Sequence, residues 1–210
     1  MIKKKINNRC VGIVNLGLSN LGSIINLVLF LKRKVKLIDN YSEINNYNHV
    51  ILPGIGSFRE ASKIIKKKKL KKHLTEFINN DGKFFGICLG MQLMFKDSNE
   101  HGKSKGLGIF NGSCSKFEKK SIKVPHVGFN FINHDKHKIW SGIPNQTSFY
   151  FVHSYKIDKK LQRKDTSVIY CKYKNPFVAF IRKKNIFGSQ FHPEKSGKQG
   201  IQLMKNFLEL

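Results

Sequence analysis

A cysteine flanked by glycines is the residue of this 210-residue chain best suited to act as a nucleophile. Cys88 stands in Gly86-Ile87-Cys88-Leu89-Gly90, between an apolar run and a segment that favours helix. A tight strand-to-helix turn holds a nucleophile clear of its own backbone, and the helix N-terminus favours the thiolate. The Leu89 amide would then be placed to bind an oxyanion. Taken alone, the segment is equally consistent with a buried core cysteine.

A histidine and a glutamate late in the chain supply the partners that a thiol nucleophile needs. In Gln190-Phe191-His192-Pro193-Glu194, His192 and Glu194 are two residues apart, which in an extended chain puts them on one side. We predict that His192 takes the Cys88 proton and returns it to a leaving group. Glu194 would orient the imidazole and stabilise its charged form. Alone, the pair is typical of surface polar residues.

A glycine loop and a histidine pair are the remaining candidates for chemistry. Pro53-Gly54-Ile55-Gly56-Ser57 follows a predicted strand, and glycines let backbone amides point at a substrate. Gly54 and Ile55 therefore become candidates for an oxyanion hole, with an ordinary strand-ending turn as the alternative. His134 and His137 have no accompanying ligands in the sequence, so we predict surface histidines and no metal site.

The elements that must position these residues alternate between strand and helix. Apolar runs and helical periodicity predict, in the first half, strands 10–14, 35–38, 49–52 and 83–87, and helices 23–33 (capped by Ser23), 59–79 and 89–95. The second half predicts strands 115–117, 149–152, 168–171, 177–181 and 186–191, and a helix 197–208. This order favours an α/β fold with a mixed, mostly parallel sheet and helices on both faces. With no evident linker or repeat, we expect a single domain, residues 1–210.

The composition bounds the partners and the compartment. The net charge is +26, but only five of the 39 cationic residues are Arg, and the abundant Lys, Asn and Ile are the residues that AT-rich codons encode. No basic stretch alternates with aromatics, so we predict no nucleic-acid partner, and a catalytically inactive nucleic-acid-binding protein is the alternative from another class. The longest apolar run, 24–31, is too short to span a bilayer. Four dispersed cysteines without a secretory signal predict a cytoplasmic protein with reduced thiols.

Taken together, these motifs resemble the class I glutamine amidotransferases, and more narrowly the glutaminase subunits of imidazole glycerol phosphate synthases. The resemblance runs from about residue 11 to the C-terminus. It rests on Leu52-Pro53-Gly54-Ile55-Gly56-Ser57-Phe58, Gly86-Ile87-Cys88-Leu89-Gly90-Met91-Gln92, Lys123-Val124-Pro125-His126-Val127-Gly128-Phe129-Asn130, Phe151-Val152-His153-Ser154-Tyr155 and Gln190-Phe191-His192-Pro193-Glu194-Lys195-Ser196-Gly197.

The resemblance implies hydrolysis of L-glutamine to glutamate and ammonia through Cys88, His192 and Glu194, without a cofactor. Glu100 would meet the glutamine ammonium, and the Ile55 peptide would turn to complete the oxyanion hole. The implied substrate-binding residues are Gln92, Glu100, Ser154 and Tyr155. Ammonia would pass to a (βα)₈-barrel cyclase in a heterodimer that serves histidine biosynthesis. The implied partner interface comprises Asn15, Pro125, His126, Phe129, Asn130 and Lys195.

Two departures from the family pattern concern the partner. The first turn, Asn15-Leu16-Gly17-Leu18-Ser19, lacks the usual Asp-Tyr and carries Ser19 where the family has glycine; Phe129 replaces the usual tryptophan. These changes leave the predicted catalytic residues intact. The alternative is a paralogous glutaminase that feeds a sugar amidotransferase in surface-polysaccharide synthesis.

Overall fold

The computed structural model describes residues 10–18, 20–54, 56–118, 123–157 and 165–210. Its helices are α1 (Gly22–Phe30), α2 (Phe58–Lys67), α3 (Leu70–Asn79), α4 (Leu89–Leu93) and α5 (Gly197–Leu208). Its strands are β1 (Cys10–Val14), β2 (Lys34–Ile38), β3 (His49–Leu52), β4 (Lys83–Ile87), β5 (Phe95–Ser98), β6 (Ser104–Lys105), β7 (Phe110–Lys116), β8 (His126–Ile132), β9 (Thr147–His153), β10 (Tyr155–Ile157), β11 (Ser167–Tyr173), β12 (Asn175–Lys183) and β13 (Ile186–Ser189).

The central sheet of the described residues has seven strands in the order β11-β12-β13-β4-β3-β1-β2. The pairs β1–β2, β1–β3, β3–β4 and β4–β13 are parallel, whereas β11–β12 and β12–β13 are antiparallel. The prediction of a mixed, mostly parallel sheet is therefore confirmed. Because parallel strands end at one edge, Asn15, Pro53, Cys88 and Gln190 all follow strands at the same edge of the sheet.

Both faces of the sheet are covered, as predicted. One hydrophobic cluster joins α1 and α5 to the sheet and is rich in phenylalanine, including Phe85, Phe187 and Phe207. A second cluster lies under α2, α3 and α4 on the opposite face. Burial on both faces is the reason that β3 and β4 are nearly continuous apolar runs. None of the helices in the described ranges is long and apolar enough to cross a membrane.

The prediction of a single helix over 59–79 is wrong, because this segment forms two helices. Lys69 has a left-handed backbone (φ 54°) and separates α2 from α3. At about 100° per residue, the step from Ile65 to Leu70 turns the apolar stripe by about 140°, so one straight helix could not bury both halves. The break lets Leu70 and Leu74 reach the core beside Ile65. The lysines from 66 to 72 are exposed, as expected of a solvated helix surface.

Smaller differences concern helix ends and strands that the sequence did not indicate. Helix α1 begins at Gly22, whose amide donates to the Asn20 side chain, and Ser23 is not its cap. Helix α4 stops at Leu93, because Phe95 enters β5 and pairs with β7. Strands β5, β6, β8 and β10 were not predicted, and they form smaller sheets beside the main one.

Strand β8 escaped prediction because its apolar side chains point outward. Val127, Phe129 and Phe131 occupy alternate positions and are 56%, 59% and 69% exposed. Apolar residues on the solvent side reverse the pattern by which a half-buried strand is normally recognised. The strand pairs with β9, where His153 lies opposite His126.

Candidate active site

Cys88 occupies a strained turn between β4 and α4. Its backbone lies at φ 50° and ψ −108°, a conformation rare for non-glycine residues. The Cys88 amide donates to the Ser189 carbonyl at 2.7 Å, which ties the turn to the neighbouring strand β13. A nucleophile elbow was predicted at this position, and the geometry has that form.

The glycines on either side of Cys88 are required by close packing. A Cβ at Gly90 would lie 1.9 Å from the Leu52 carbonyl oxygen, and one at Gly86 would lie 2.6 Å from the Met94 sulfur. A Cβ at Gly54 would lie 2.4 Å from the Gly90 amide nitrogen. The glycine loop after β3 therefore rests directly on the elbow, next to Leu89. Ile55, the other predicted oxyanion residue, lies outside the described residues.

Gly90→Ala is expected to lower the free energy of unfolding by about 2–3 kcal/mol, because the added methyl must displace backbone atoms in a packed region. Gly17→Ala is the control: Gly17 has φ 70°, and a Cβ added there would meet no atom within 4 Å. That change incurs only the left-handed backbone strain, about 1 kcal/mol. Urea unfolding of both variants measures the difference. Equal losses would contradict the packing argument.

His192 and Glu194 form a buried pair next to Cys88. The His192 Nδ1 atom lies 2.6 Å from Glu194 Oε1, and both side chains are more than nine-tenths buried. Their approach differs from the predicted extended segment, because Pro193–Lys195 is a short 3₁₀ turn that folds Glu194 back onto the imidazole. The Ser196 hydroxyl donates to the His192 carbonyl at 2.7 Å and holds this turn.

The surroundings of His192 favour its protonated form. Burial is the largest single influence and lowers its pKa, but Cys88 and Glu194 together outweigh it through their charges and hydrogen bonds. The pKa of His192 is consequently raised from 6.5 to about 10. At neutral pH His192 is therefore an imidazolium, and a positive charge next to a cysteine sulfur favours the thiolate, the form in which cysteine is nucleophilic.

Cys88 opens into a pocket of about 560 Å³, a volume suited to a small polar substrate. Seven of the predicted catalytic, oxyanion and substrate residues line it: Gly54, Cys88, Leu89, Gln92, Glu100, Ser154 and Tyr155. Two predicted interface residues, Pro125 and Lys195, lie at the same pocket. His192 and Glu194 lie behind Cys88 and do not line it.

Two of the predicted substrate residues already have protein partners. The Glu100 carboxylate accepts from the Phe58 amide at 2.7 Å, at the N-terminus of α2, where a negative charge is stabilised. Gln92 Nε2 donates to the Tyr155 carbonyl and to Gln190 Oε1, both at 3.0 Å. Glu100 thus presents a fixed charge to the pocket, while the Gln92 amide nitrogen points into the protein.

Gln190 is the site residue that motif analysis missed. It is fully buried, and its Nε2 donates to Cys88 Sγ at 3.5 Å. The signal was available, since Gln190 begins the same five-residue segment as His192 and Glu194. His153 was missed as well: it lines the pocket and donates to the Tyr155 carbonyl from Nδ1 at 2.7 Å.

The predicted interface residues are not all at the surface. Pro125 and Lys195 are exposed, as is Phe129, and Asn130 is half-buried. His126 is only 1% exposed and stacks on Tyr173, so a direct partner contact by this side chain does not fit the structure. It faces inward because β8 alternates, which turns His126 away from the side that carries Phe129.

Asn15 and the His134–His137 pair both have local roles. Asn15 donates to Asp39 at 2.9 Å and accepts from the Gly17 amide, which shapes the first turn. His134 bonds to backbone carbonyls and stacks on Trp140. Within the described ranges, no group of three His, Cys, Asp or Glu side chains could hold a metal ion.

A cysteine at a strand-to-helix elbow, with a buried histidine–carboxylate pair next to it, is equipped for acyl transfer from an amide, which is the chemistry of the class I glutamine amidotransferases. The chain belongs to this family, whose model, Glutamine amidotransferase class-I, matches residues 13–210. Within the family it is similar to the imidazole glycerol phosphate synthase subunit HisH of Helicobacter hepaticus, with 38% identity over 95% of this chain and 98% of that protein.

The chain is also similar to part of a longer relative and to a solved structure. The chloroplastic imidazole glycerol phosphate synthase hisHF of Arabidopsis thaliana is 36% identical over 94% of this chain but only 34% of its own length. A solved glutamine amidotransferase structure superposes with a TM-score of 0.73 at 15% identity, covering 95% of this chain and 97% of the other. At that identity the superposition shows the shared fold.

Proposed function

We propose that residues 1–210 act as one glutaminase domain, the ammonia-producing subunit of an imidazole glycerol phosphate synthase in histidine biosynthesis. The observation that carries this proposal is the Cys88–His192–Glu194 arrangement at the base of a pocket that also holds Glu100. The substrate is L-glutamine: its ammonium group is bound by the Glu100 carboxylate, and its side-chain amide reaches Cys88.

The reaction is an acyl transfer in two halves. Cys88 Sγ attacks the amide carbon of glutamine, and the oxyanion is bound by the Leu89 amide and the Gly54–Ile55 loop. The carbon–nitrogen bond breaks as His192 gives its proton to the departing ammonia. His192 then takes a proton from water, which attacks the thioester and releases glutamate and the Cys88 thiol. Glu194 holds the imidazole in place throughout.

The partner in this proposal is a (βα)₈-barrel cyclase that receives the ammonia. The Helicobacter relative is named as a subunit of the synthase, and the Arabidopsis relative is about three times longer than the region that matches. On this chain, Pro125 and Lys195 lie at the pocket, and Phe129 is exposed on the strand that begins beside Pro125. These residues support a docking surface around the pocket mouth.

The sugar-amidotransferase alternative rests on the first turn and on Phe129. The Helicobacter and Arabidopsis relatives are both named as imidazole glycerol phosphate synthases, which does not favour this alternative. A cytoplasmic location is part of the proposal and is supported by the four cysteines, which form no disulfide within the described residues.

The test is glutamate release from glutamine by the purified chain, with and without a (βα)₈ cyclase subunit and its phosphoribosyl substrate analogue. We expect the barrel and its ligand to raise the rate of glutamate release by about 100-fold. A factor of this size corresponds to a coupling free energy of about 3 kcal/mol between the ligand site of the barrel and the glutaminase site. Phe129→Ala should weaken the complex by about 2 kcal/mol, as loss of an aromatic anchor does.

Phe30→Ala is the matched control for Phe129. Phe30 is also a highly exposed phenylalanine, but it ends α1, which runs away from the edge that carries the site. It should leave complex formation unchanged. A barrel subunit that neither binds the chain nor stimulates glutamate release would contradict the histidine-pathway assignment and favour the sugar-amidotransferase alternative.

A further inference from the structure

A continuous set of buried and part-buried hydrogen bonds leads away from the Cys88 sulfur. Gln190 Nε2 donates to Sγ at 3.5 Å, while Gln190 Oε1 accepts from Gln92 Nε2 at 3.0 Å. The same Gln92 nitrogen donates to the Tyr155 carbonyl at 3.0 Å. The two bonds of Gln190 are buried, which strengthens them, and the bond from Gln92 to Tyr155 is part-buried.

Two buried histidines extend the set from Tyr155 to the surface strand β8. His153 Nδ1 lies 2.7 Å from the Tyr155 carbonyl, and His153 Nε2 lies 3.1 Å from His126 Nδ1. His126 Nε2 lies 2.7 Å from the Asn130 Nδ2 atom. Asn130 is half-buried on β8, one residue from the exposed Phe129.

The tautomers along this path follow from the Tyr155 carbonyl, which can only accept. His153 must donate from Nδ1, so in its neutral form its Nε2 accepts from His126 Nδ1. His126 Nε2 then accepts from Asn130. Burial supports the neutral forms, because it lowers the pKa of His153 to about 3 and that of His126 to about 4. Each donor and acceptor therefore has one assigned direction.

We propose that Gln190 stabilises and orients the Cys88 thiolate by hydrogen bonding, and that the hydrogen-bonded path Asn130–His126–His153–Tyr155–Gln92–Gln190 connects this contact to strand β8. An N–H donor stabilises a thiolate more than a thiol, since the bond to the charged sulfur is the stronger one. A displacement of Asn130 shifts His126 and His153, and through the Tyr155 carbonyl it shifts Gln92 and Gln190.

The link to a partner rests on the proposed function, because β8 is expected to face the barrel. The ionisation of Cys88 does not depend on it. Thiol chemistry can be measured on the free chain without glutamine or a partner, so this proposal and the proposed function fail in different assays.

The experiment is the pH dependence of Cys88 alkylation by iodoacetamide in the full chain, with the modified cysteine identified by mass spectrometry. Gln190→Met keeps the length of the side chain and removes the donor. We expect the acid-side midpoint to rise by about one pH unit, a tenfold change in the ionisation of the thiol. The other titratable groups around Cys88 are unchanged in this variant: His192, Glu194, His153, Tyr155, Glu100, His101, Lys116 and Lys195.

Asn206→Leu is the matched control for losing a buried amide. Asn206 is also buried, but it donates to the Ile139 and Ser141 carbonyls beside α5, and neither residue lines the pocket. It should destabilise the fold without moving the midpoint. If Gln190→Met does not fold, Gln190→Glu preserves an acceptor for Gln92 and places a carboxylate at the sulfur. The midpoint of this variant should rise by more than one pH unit, which is a change of more than tenfold in the ionisation of the thiol. A midpoint equal to that of Asn206→Leu would overturn the role of Gln190.

The path itself is tested by a double-mutant cycle. Asn130→Ala should also raise the midpoint, by about half a pH unit, which is a threefold change in the ionisation of the thiol. A change of this size lies within the range of couplings that packed networks carry. In the Gln190→Met background the same change should have no further effect, because the contact with sulfur is already absent. Equal shifts in both backgrounds would show that Asn130 does not act through Gln190 and would overturn the path.

Discussion

Cys88→Ala is expected to abolish glutamine hydrolysis, with kcat lower by roughly 10⁴-fold or more, as when a triad nucleophile is removed. The proposed reaction has no other group positioned to attack the substrate amide. Alanine fits the space of the thiol, so folding and partner binding should remain largely intact. Glutamate release measures the activity, and thermal unfolding measures the fold.

Cys171→Ala is the control for this substitution. Cys171 is also buried, in β11, and burial raises the pKa of its thiol to about 12, so it stays protonated and unreactive. Its loss should leave glutamine hydrolysis unchanged. Substantial hydrolysis by Cys88→Ala, measured next to a normally active Cys171→Ala, would remove Cys88 as the nucleophile.

The second large effect concerns the division of work between His192 and Glu194. His192→Gln should lower kcat by roughly 10³-fold or more, because it removes the group that transfers the proton. Glu194→Gln should cost at least about tenfold less, because a glutamine can still orient the ring but cannot stabilise its charge. The measurement is kcat for both variants under identical partner conditions. Equal or greater damage from Glu194→Gln would contradict this assignment.

The pH dependence of kcat/KM also tests whether Glu194 stabilises the charged form of His192. The pKa of His192 is raised to about 10, so activity that needs the imidazolium is present below that value and lost as the pH rises through it. Removing the Glu194 charge removes one of the interactions that raise this pKa. The alkaline limb of kcat/KM should therefore move to lower pH in Glu194→Gln. A limb that stays in place would show that Glu194 does not stabilise the charged ring.

Much of the fold and the site follows from local sequence. Apolar runs and helical periodicity located β1, β3, β4 and α5, because burial on a sheet imposes those patterns wherever the chain lies. The elbow could be predicted from Gly86 and Gly90, because the close packing on either side of Cys88 leaves no room for a side chain at these positions. The ends of α1 and α4, the break at Lys69 and strand β8 could not be predicted. The break at Lys69 depends on how α2 and α3 pack on the core. The exposed position of Phe129 depends on which face of β8 packs against the rest of the chain.

The sequence by itself determined the family and the residues that we propose for the chemistry: a cysteine between glycines and a histidine two residues from a glutamate. Only the tertiary structure decided how they meet. It folded Glu194 back through a 3₁₀ turn, turned His126 inward and brought Gln190 to the sulfur across 102 positions of the chain. The physical reason is that residue types and short spacings encode local chemistry, whereas contacts between distant residues arise when the sheet and its helices pack together.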